Sequence, residues 1–449
     1  PIKSSAASDV YKRQALVCIR CYSVDIYDVR LLGAVNDGTT LNTFVIQSAI
    51  DSCSNNGGGI VLLSGGGKYM SGTLYLKDHV TLRIEKGTTL LGSPDIHDYT
   101  RDTYKNMYKG EPHMDYCFIY AEGKQHLSIE GDGIIDGNGF RTHFTNETGR
   151  PMLIRLKDCK DIRLKDITLN NAAAWTSAWL YCEDVFVSGV KINSRANWNG
   201  DGLDFDGCRN VVVSNCIFDT SDDSICLQAS RKDKACSNVS ITNCVMSSQW
   251  AAIRIGLLSV GDIHSVTVSN CTFKNIKDSG FKIQQNESGE MRNMIFSDIV
   301  MENVPRPIFM TFCKQRACVD SPDELPELTR MHGFIFSNMI VDNSKGDENS
   351  GIVMTGIPGY CIEDIILKDI LFTVGGGGVK AQTAPKEMTP DVLNGWWPEY
   401  NLFGGTLPSY GIFARHIKGL TITNVQVKTV EKEPVSYTHL RAHETLSDL

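Results

Sequence analysis

Three aspartates, Asp201, Asp222 and Asp223, are the residues of this 449-residue chain best placed to move a proton and activate a water. Short apolar pairs that recur along the sequence locate them. Leu203 and Phe205 match Ile225 and Leu227, then Ile253 and Ile255, Phe281 and Ile283, Ile308 and Met310. Residues alternating with such pairs point to the opposite face of a strand. Two places before each pair the column reads Asp201, Asp223, Ala251, Ser279, Arg306, with Asp222 at the corner before Asp223. One place after the first apolar residue it reads Asp204, Cys226, Arg254, Lys282, Phe309. Carboxylates about one strand spacing apart repel, which keeps at least one of them protonated near neutral pH while its neighbours ionise. Glycoside hydrolysis divides its work in that way: one carboxyl protonates the leaving oxygen and another activates water. Turns of a repetitive fold also favour Asp, but Asp201 stacked on Asp223, followed by Arg254 and Lys282, marks a site rather than turn chemistry. For the two cations two readings stand. Arg254 pairs with Asp204, or Arg254 and Lys282 together receive a substrate carboxylate as a fork and a point charge.

The elements that must hold these columns repeat. A nine-residue pattern has apolar residues at its first, third, sixth and eighth places: Ile162, Leu164, Ile167, Leu169, then Val185, Val187, Val190, Ile192. Further copies start at Val211, Val239, Val266, Met294, Phe334, Ile365 and Leu420. The first six starts are 23, 26, 28, 27 and 28 residues apart, and later intervals of 40, 31 and 55 imply loop insertions. Steps of two are strand periodicity; the central step of three is a bend, occupied by Asn215, Asn243, Asn270, Asn338 and Asn424. Asn tolerates left-handed backbone there. Short bent strands at this interval predict an all-β chain, a right-handed, single-stranded parallel β-helix. The spacing of Leu41 to Asn55 predicts a short helix, with Asn42 or Thr43 as N-cap, that covers the N-terminal end of the solenoid.

Of fifteen cysteines, Cys216, Cys244 and Cys271 share one column and Cys159, Cys182, Cys208 and Cys236 another, as ladders of buried free thiols. Cys313 and Cys318 are the pair best placed for a disulfide. No cysteine spacing matches a zinc site, and no metal or cofactor is expected. A net charge of −8 argues against nucleic acid, and no apolar run approaches a membrane span. Ser4 to Gln14 and Val435 to Thr445 read as translated sequencing-adaptor ends, so residues 1–14 and 435–449 are set aside. Residues 15–434 are then one β-helix domain, and the natural chain is expected to continue past both ends. Ala15 to Ser23 could be the tail of a signal peptide.

At the aspartates the chain resembles glycoside hydrolase family 28, the polygalacturonases and their relatives. Asn199-Gly200-Asp201-Gly202 is similar to that family's Asn-Thr-Asp-Gly, and Ser221-Asp222-Asp223 to its Gly-Asp-Asp. The resemblance implies Asp222 as general acid, Asp201 and Asp223 as holders of the attacking water, and inversion at the anomeric carbon. Trp250-Ala251-Ala252 replaces the family's Gly-His-Gly, and Lys282-Ile283-Gln284 its Arg-Ile-Lys. The hydrolytic half is retained and the recognition half rebuilt. Asn199, Asp204, Trp250, Arg254, Lys282 and Gln284 are therefore the candidates for binding a pectic, uronic-acid-containing polysaccharide, with a rhamnogalacturonan or branched uronide favoured. A secreted or periplasmic monomer is expected. The competing readings are a calcium-dependent lyase, with Asp201, Asp204, Asp222 and Asp223 as ligands and Lys282 or Arg254 as base, and a non-catalytic glycan-binding β-helix. Trp396 and Trp397 in the longest interval either stack on sugar or pack their loop. Arg415 and His416 read as structural.

Overall fold

The computed structural model describes residues 24–109, 111–312, 318, 327–347, 349–376, 407 and 411–430. The adaptor-like ends, Ala15 to Ser23, Cys313 and the Trp396-Trp397 loop lie outside these residues. The chain winds as a parallel β-helix. One sheet of eleven short strands runs from Leu74–Tyr75 through Leu203–Asp206, Ile225–Ala229, Ile253–Ser259 and Ser279–Gln285 to Ile412–Arg415. The remaining strands of the coils form the two other faces. From Ile263–Ile276 onward, those two arms fuse into strands of 12 to 14 residues that bend without breaking.

All nine repeat starts, from Ile162 to Leu420, pair in register with the next. Their inward side chains form one continuous core. Within it Phe296 stacks on Phe336 with centroids 4.8 Å apart, the spacing of neighbouring strands. The bend asparagines adopt the expected left-handed backbone, with φ of 57° at Asn215, 54° at Asn243 and Asn270, 52° at Asn338 and 51° at Asn424. Their side chains link successive coils, as where Asn243 Nδ2 donates to Asn215 Oδ1 over 3.4 Å and Asn424 Nδ2 to Asp369 Oδ1 over 2.7 Å. Both cysteine columns are buried as free thiols.

The N-terminal helix spans Thr43–Asn55 and lays Ile46, Ala49, Ile50 and Cys53 onto the first coils. Asn42 is its N-cap residue by position, but its side chain does not cap the helix. Its Oδ1 instead accepts from the Val35 N–H at 2.7 Å and its Nδ2 donates to Val35 O and Thr40 O, tying the helix entry to the preceding turn. Leu41, expected in the helix, ends the strand Asp37–Leu41. Among the described residues no helix is long and apolar enough to cross a membrane.

An asparagine at a left-handed bend makes a testable contribution. Left-handed backbone costs a side-chain-bearing residue about 1–2 kcal/mol, most for a β-branched one. Asn243→Val should lower stability by about that amount, whereas Asn243→Gly should change it little. Paired urea titrations of the two variants measure the difference.

Candidate active site

The sheet containing Leu203–Asp206 shows why the aspartates converge. Leu203 and Phe205 enter the core, which turns Asp204 to the opposite face. Its column continues in register through Cys226, Arg254, Lys282 and Phe309, as the apolar pairs predict. Asp201, Asp222 and Asp223 occupy the corner just before these strands. Gly202 is required there, because a Cβ would stand 2.3 Å from Ser224 O in the next coil. Two hydroxyls from neighbouring segments grip the Asp222 carbonyl, Thr220 Oγ1 and Ser248 Oγ each donating over 2.6 Å.

These outward-facing columns do not lie open to solvent. Residues 99–109 and 111–116 fold over the sheet, and Met107, Tyr108 and Met114 join Tyr120, Trp175, Ala178 and Leu180 in a second apolar cluster. Asp201, Asp204, Asp223, Arg254, Lys282 and Gln284 are all buried; Asp222, Asn199 and Trp250 remain partly exposed. Sequence periodicity carried no sign of this roof.

Asp201, Asp222 and Asp223 each bring a carboxylate oxygen within 4.8 Å of the others, and so do Asp201, Asp204 and the Cys226 thiol as a second trio. Cys226 Sγ lies 3.5 Å from Asp223 Oδ2, between the two groups. Burial, and then the charge of Asp223, push the Asp222 carboxyl up to about 7, against the pull of Arg254 and Lys282. Asp201 is raised well above the carboxylate range by burial, then by Asp222, Asp204 and Asp223. Asp204 is raised well above it too, chiefly by burial. Neither of its oxygens has a hydrogen-bond partner with normal geometry, and the Cys226 thiol beside it is a weak donor. Asp223 is held differently: Oδ1 accepts the Ala251 N–H at 2.9 Å and Oδ2 lies 3.3 Å from Arg254 Nη1.

Arg254 thus pairs with Asp223, not Asp204. Asp204 lies two rows from Arg254, with Cys226 between them, whereas Asp223 is in the adjacent coil. Arg254 also donates to Gln284 Oε1 at 3.3 Å. Lys282, on the next row, is fully buried and places Nζ 3.0 Å from Asp278 Oδ2 and 4.6 Å from the centre of the Trp250 ring. Arg306 approaches the other Asp278 oxygen at 2.9 Å. Burial alone would raise Asp278, but Lys282 and Arg306 overcome it and hold the carboxyl below the usual range. On the opposite flank, Asn199 sits at φ 48° and its Oδ1 accepts from Arg150 Nη2 at 2.8 Å. Asp278, Tyr108, Arg150 and Cys226 were not among the site residues expected from the sequence. Only Cys226 had a signal, its place in the Asp204 column.

The pattern of burial predicts a pH effect on stability. A buried aspartate with a raised pKa keeps its proton in the folded state but loses it on unfolding above the ordinary pKa of about 3.9. Unfolding then releases a proton, so the group's contribution to stability falls as pH rises from there toward its folded pKa. Asp204→Asn removes this effect while keeping the shape of the neutral acid. Its melting temperature relative to the parent should be more favourable at pH 8 than at pH 4, and a difference independent of pH would refute the assignment.

Comparisons with known proteins identify the family and the fold. The model of Glycosyl hydrolases family 28 matches residues 75–383. An exo-poly-alpha-D-galacturonosidase of Dickeya chrysanthemi is 26% identical over 394 residues, covering 74% of this chain and 64% of that protein. The chain therefore spans under two thirds of that relative's length. A probable polygalacturonase of Vitis vinifera is 25% identical over 384 residues, covering 79% of this chain and 75% of its own. The fold is shared with the family 28 exopolygalacturonase of Yersinia enterocolitica at a TM-score of 0.67 and 21% identity, over 92% of this chain and 79% of that one.

Proposed function

The chain belongs to glycosyl hydrolases family 28, and from that premise we propose that it hydrolyses a glycosidic bond in a pectic, uronic-acid-containing polysaccharide with inversion at the anomeric carbon. The observation that carries the reading is the trio Asp201, Asp222 and Asp223, whose carboxylate oxygens lie within 4.8 Å of one another, with Asp222 pushed up to about 7. Asp222, partly exposed and with a carboxyl that still carries a proton up to about pH 7, is the general acid that gives its proton to the leaving glycosidic oxygen. Asp201 and Asp223 hold a water between them, a span that one water bridges with two hydrogen bonds. Asp223, in contact with Arg254, accepts the proton as that water attacks the anomeric carbon. The nearest-oxygen distance is not the carboxyl separation by which inverting and retaining enzymes differ. The configuration of the product is therefore the deciding observable. The names of the relatives support a pectic substrate.

The calcium-dependent reading is disfavoured by the donor set. Calcium takes six to eight oxygens, whereas the trio that contains Asp204 has the Cys226 thiol as its third member, and Asp223 is already paired with Arg254.

Asp222→Asn should lower turnover on the pectic substrate by about 10²–10⁴-fold and leave the melting profile intact. Proton NMR of the first products, taken before mutarotation, should show the anomer opposite to that in the polymer; the same anomer would sink the inverting assignment. The alkaline limb of kcat/KM should fall near pH 7, where Asp222 loses its proton. Arg254 stabilises the ionised form of Asp222, so Arg254→Gln should move that limb to higher pH as well as reduce the rate. A limb that stays in place or moves down would remove Asp222 from the acid role.

A further inference from the structure

Lys282 and Arg254 are buried, and each already faces an aspartate. A uronide reaching the carboxylates would therefore also meet charge elsewhere, and the opposite flank offers it. Trp198, directly before Asn199-Gly200-Asp201, is 48% exposed, the largest exposure of any tryptophan among the described residues. The Arg141 guanidinium lies over one side of its ring, 4.2 Å from the centroid. Arg141 is exposed, and among the described residues no carboxylate lies within ion-pair distance of it.

The frame beneath this pair is rigid. The Trp198 carbonyl accepts from Arg150 Nη1 at 2.8 Å and its N–H donates to Asn197 Oδ1 at 2.9 Å. Arg150 and Asn197 are both essentially inaccessible. Asn197 Nδ2 also donates to Gly139 O at 3.0 Å and Phe144 O at 3.1 Å, pinning both ends of the loop that carries Arg141. The Asn197 carbonyl accepts from Ser221 Oγ at 2.7 Å, directly beside Asp222. The same Arg150 that holds Trp198 reaches Asn199 with its other nitrogen. An apolar ring kept in water, with a cation on it, is thus fixed by one buried scaffold to the reacting aspartates.

We propose that Trp198 and Arg141 form a subsite for a second uronosyl residue of the chain being cut, on the N-terminal side of the aspartates. The Trp198 ring stacks on the sugar face, and the Arg141 guanidinium pairs with its carboxylate. This rests on the uronide reading above and deepens it. Because the subsite lies beside the reacting bond, its contacts affect binding of the polymer more than the chemical step.

The test uses polygalacturonate and rhamnogalacturonan, each native and carboxyl-reduced, with the Trp198→Ala, Trp198→Phe and Arg141→Gln proteins. Trp198→Ala should lower kcat/KM on both forms by about tenfold, the value of about 1.4 kcal/mol of lost contact, mainly through KM. Trp198→Phe should restore most of that loss. Arg141→Gln should cost about tenfold on the native form, as the loss of one charge-assisted hydrogen bond does, and little on the reduced form. Parental kinetics for Trp198→Ala or for Arg141→Gln would overturn the subsite, as would an Arg141→Gln defect of equal size on native and reduced polymers. A parent protein that degrades neither native polymer would instead overturn the uronide reading, and the subsite with it.

Discussion

Register is the constraint on which this structure depends. Every coil lies one strand spacing above the last, and the core columns from Ile162 to Leu420 hold each row opposite the next without slippage. A slip of one residue would turn Asp204, Cys226, Arg254 and Lys282 into the core and expel Leu203, Ile225, Ile253 and Phe281. The core could not tolerate that exchange. A register strong enough to forbid it can also keep Asp201 and Asp223 in adjacent coils against their repulsion. The unfavourable proximity that shifts Asp222 is therefore maintained by hydrophobic burial on the other side of the same strands.

The rows are also graded in sign. Carboxyls dominate the coils of Asp201 and Asp223, and cations the coils of Arg254, Lys282 and Arg306. Each of these three cations has a carboxylate within reach, Arg254 with Asp223 and Lys282 and Arg306 with Asp278. Buried pairs of this kind add little net stability once desolvation is counted, but removing one member leaves a bare charge. Their value here is directional. Arg254 sits against Asp223, while burial and Asp223 itself push the Asp222 carboxyl up to about 7. Trp250, one place before Ala251, where the resemblance leads one to expect a histidine, supplies an aromatic face against which Lys282 packs.

Much of this was legible in the sequence because it is periodic. The nine in-register starts, the left-handed asparagines, the thiol ladders and the Asp204–Cys226–Arg254–Lys282 column all follow from counting residues. The partner of Arg254 was misread as Asp204, although counting rows puts Asp204 one coil too far and Asp223 within reach. Contacts made by irregular segments were not legible. Nothing in the spacing of residues 99–116 says that Tyr108 will roof the site, or that Asn197 will tie Gly139, Phe144 and Ser221 together. Those contacts depend on loop paths and side-chain rotamers, which leave no period. The helix entry shows the same limit in small: Asn42 was identified by position, but its side chain bonds the preceding turn rather than the helix.

The strands of each coil pair only with those before and after them, so apart from the roof around Tyr108 the stability of the solenoid is close to a sum over neighbours. Such a structure opens from its ends. Among the described residues, Ile417–Thr429 pairs with the strand Ile362–Val374 and leaves Ile422 40% and Val427 39% exposed, so its apolar layer is thin. Asp201, Asp223, Arg254 and Lys282 occupy four successive rows well inside the stack, with further coils on either side. Opening of that thinly covered coil can therefore stop short of the reacting groups, so local opening and the loss of the site are separate events along one axis.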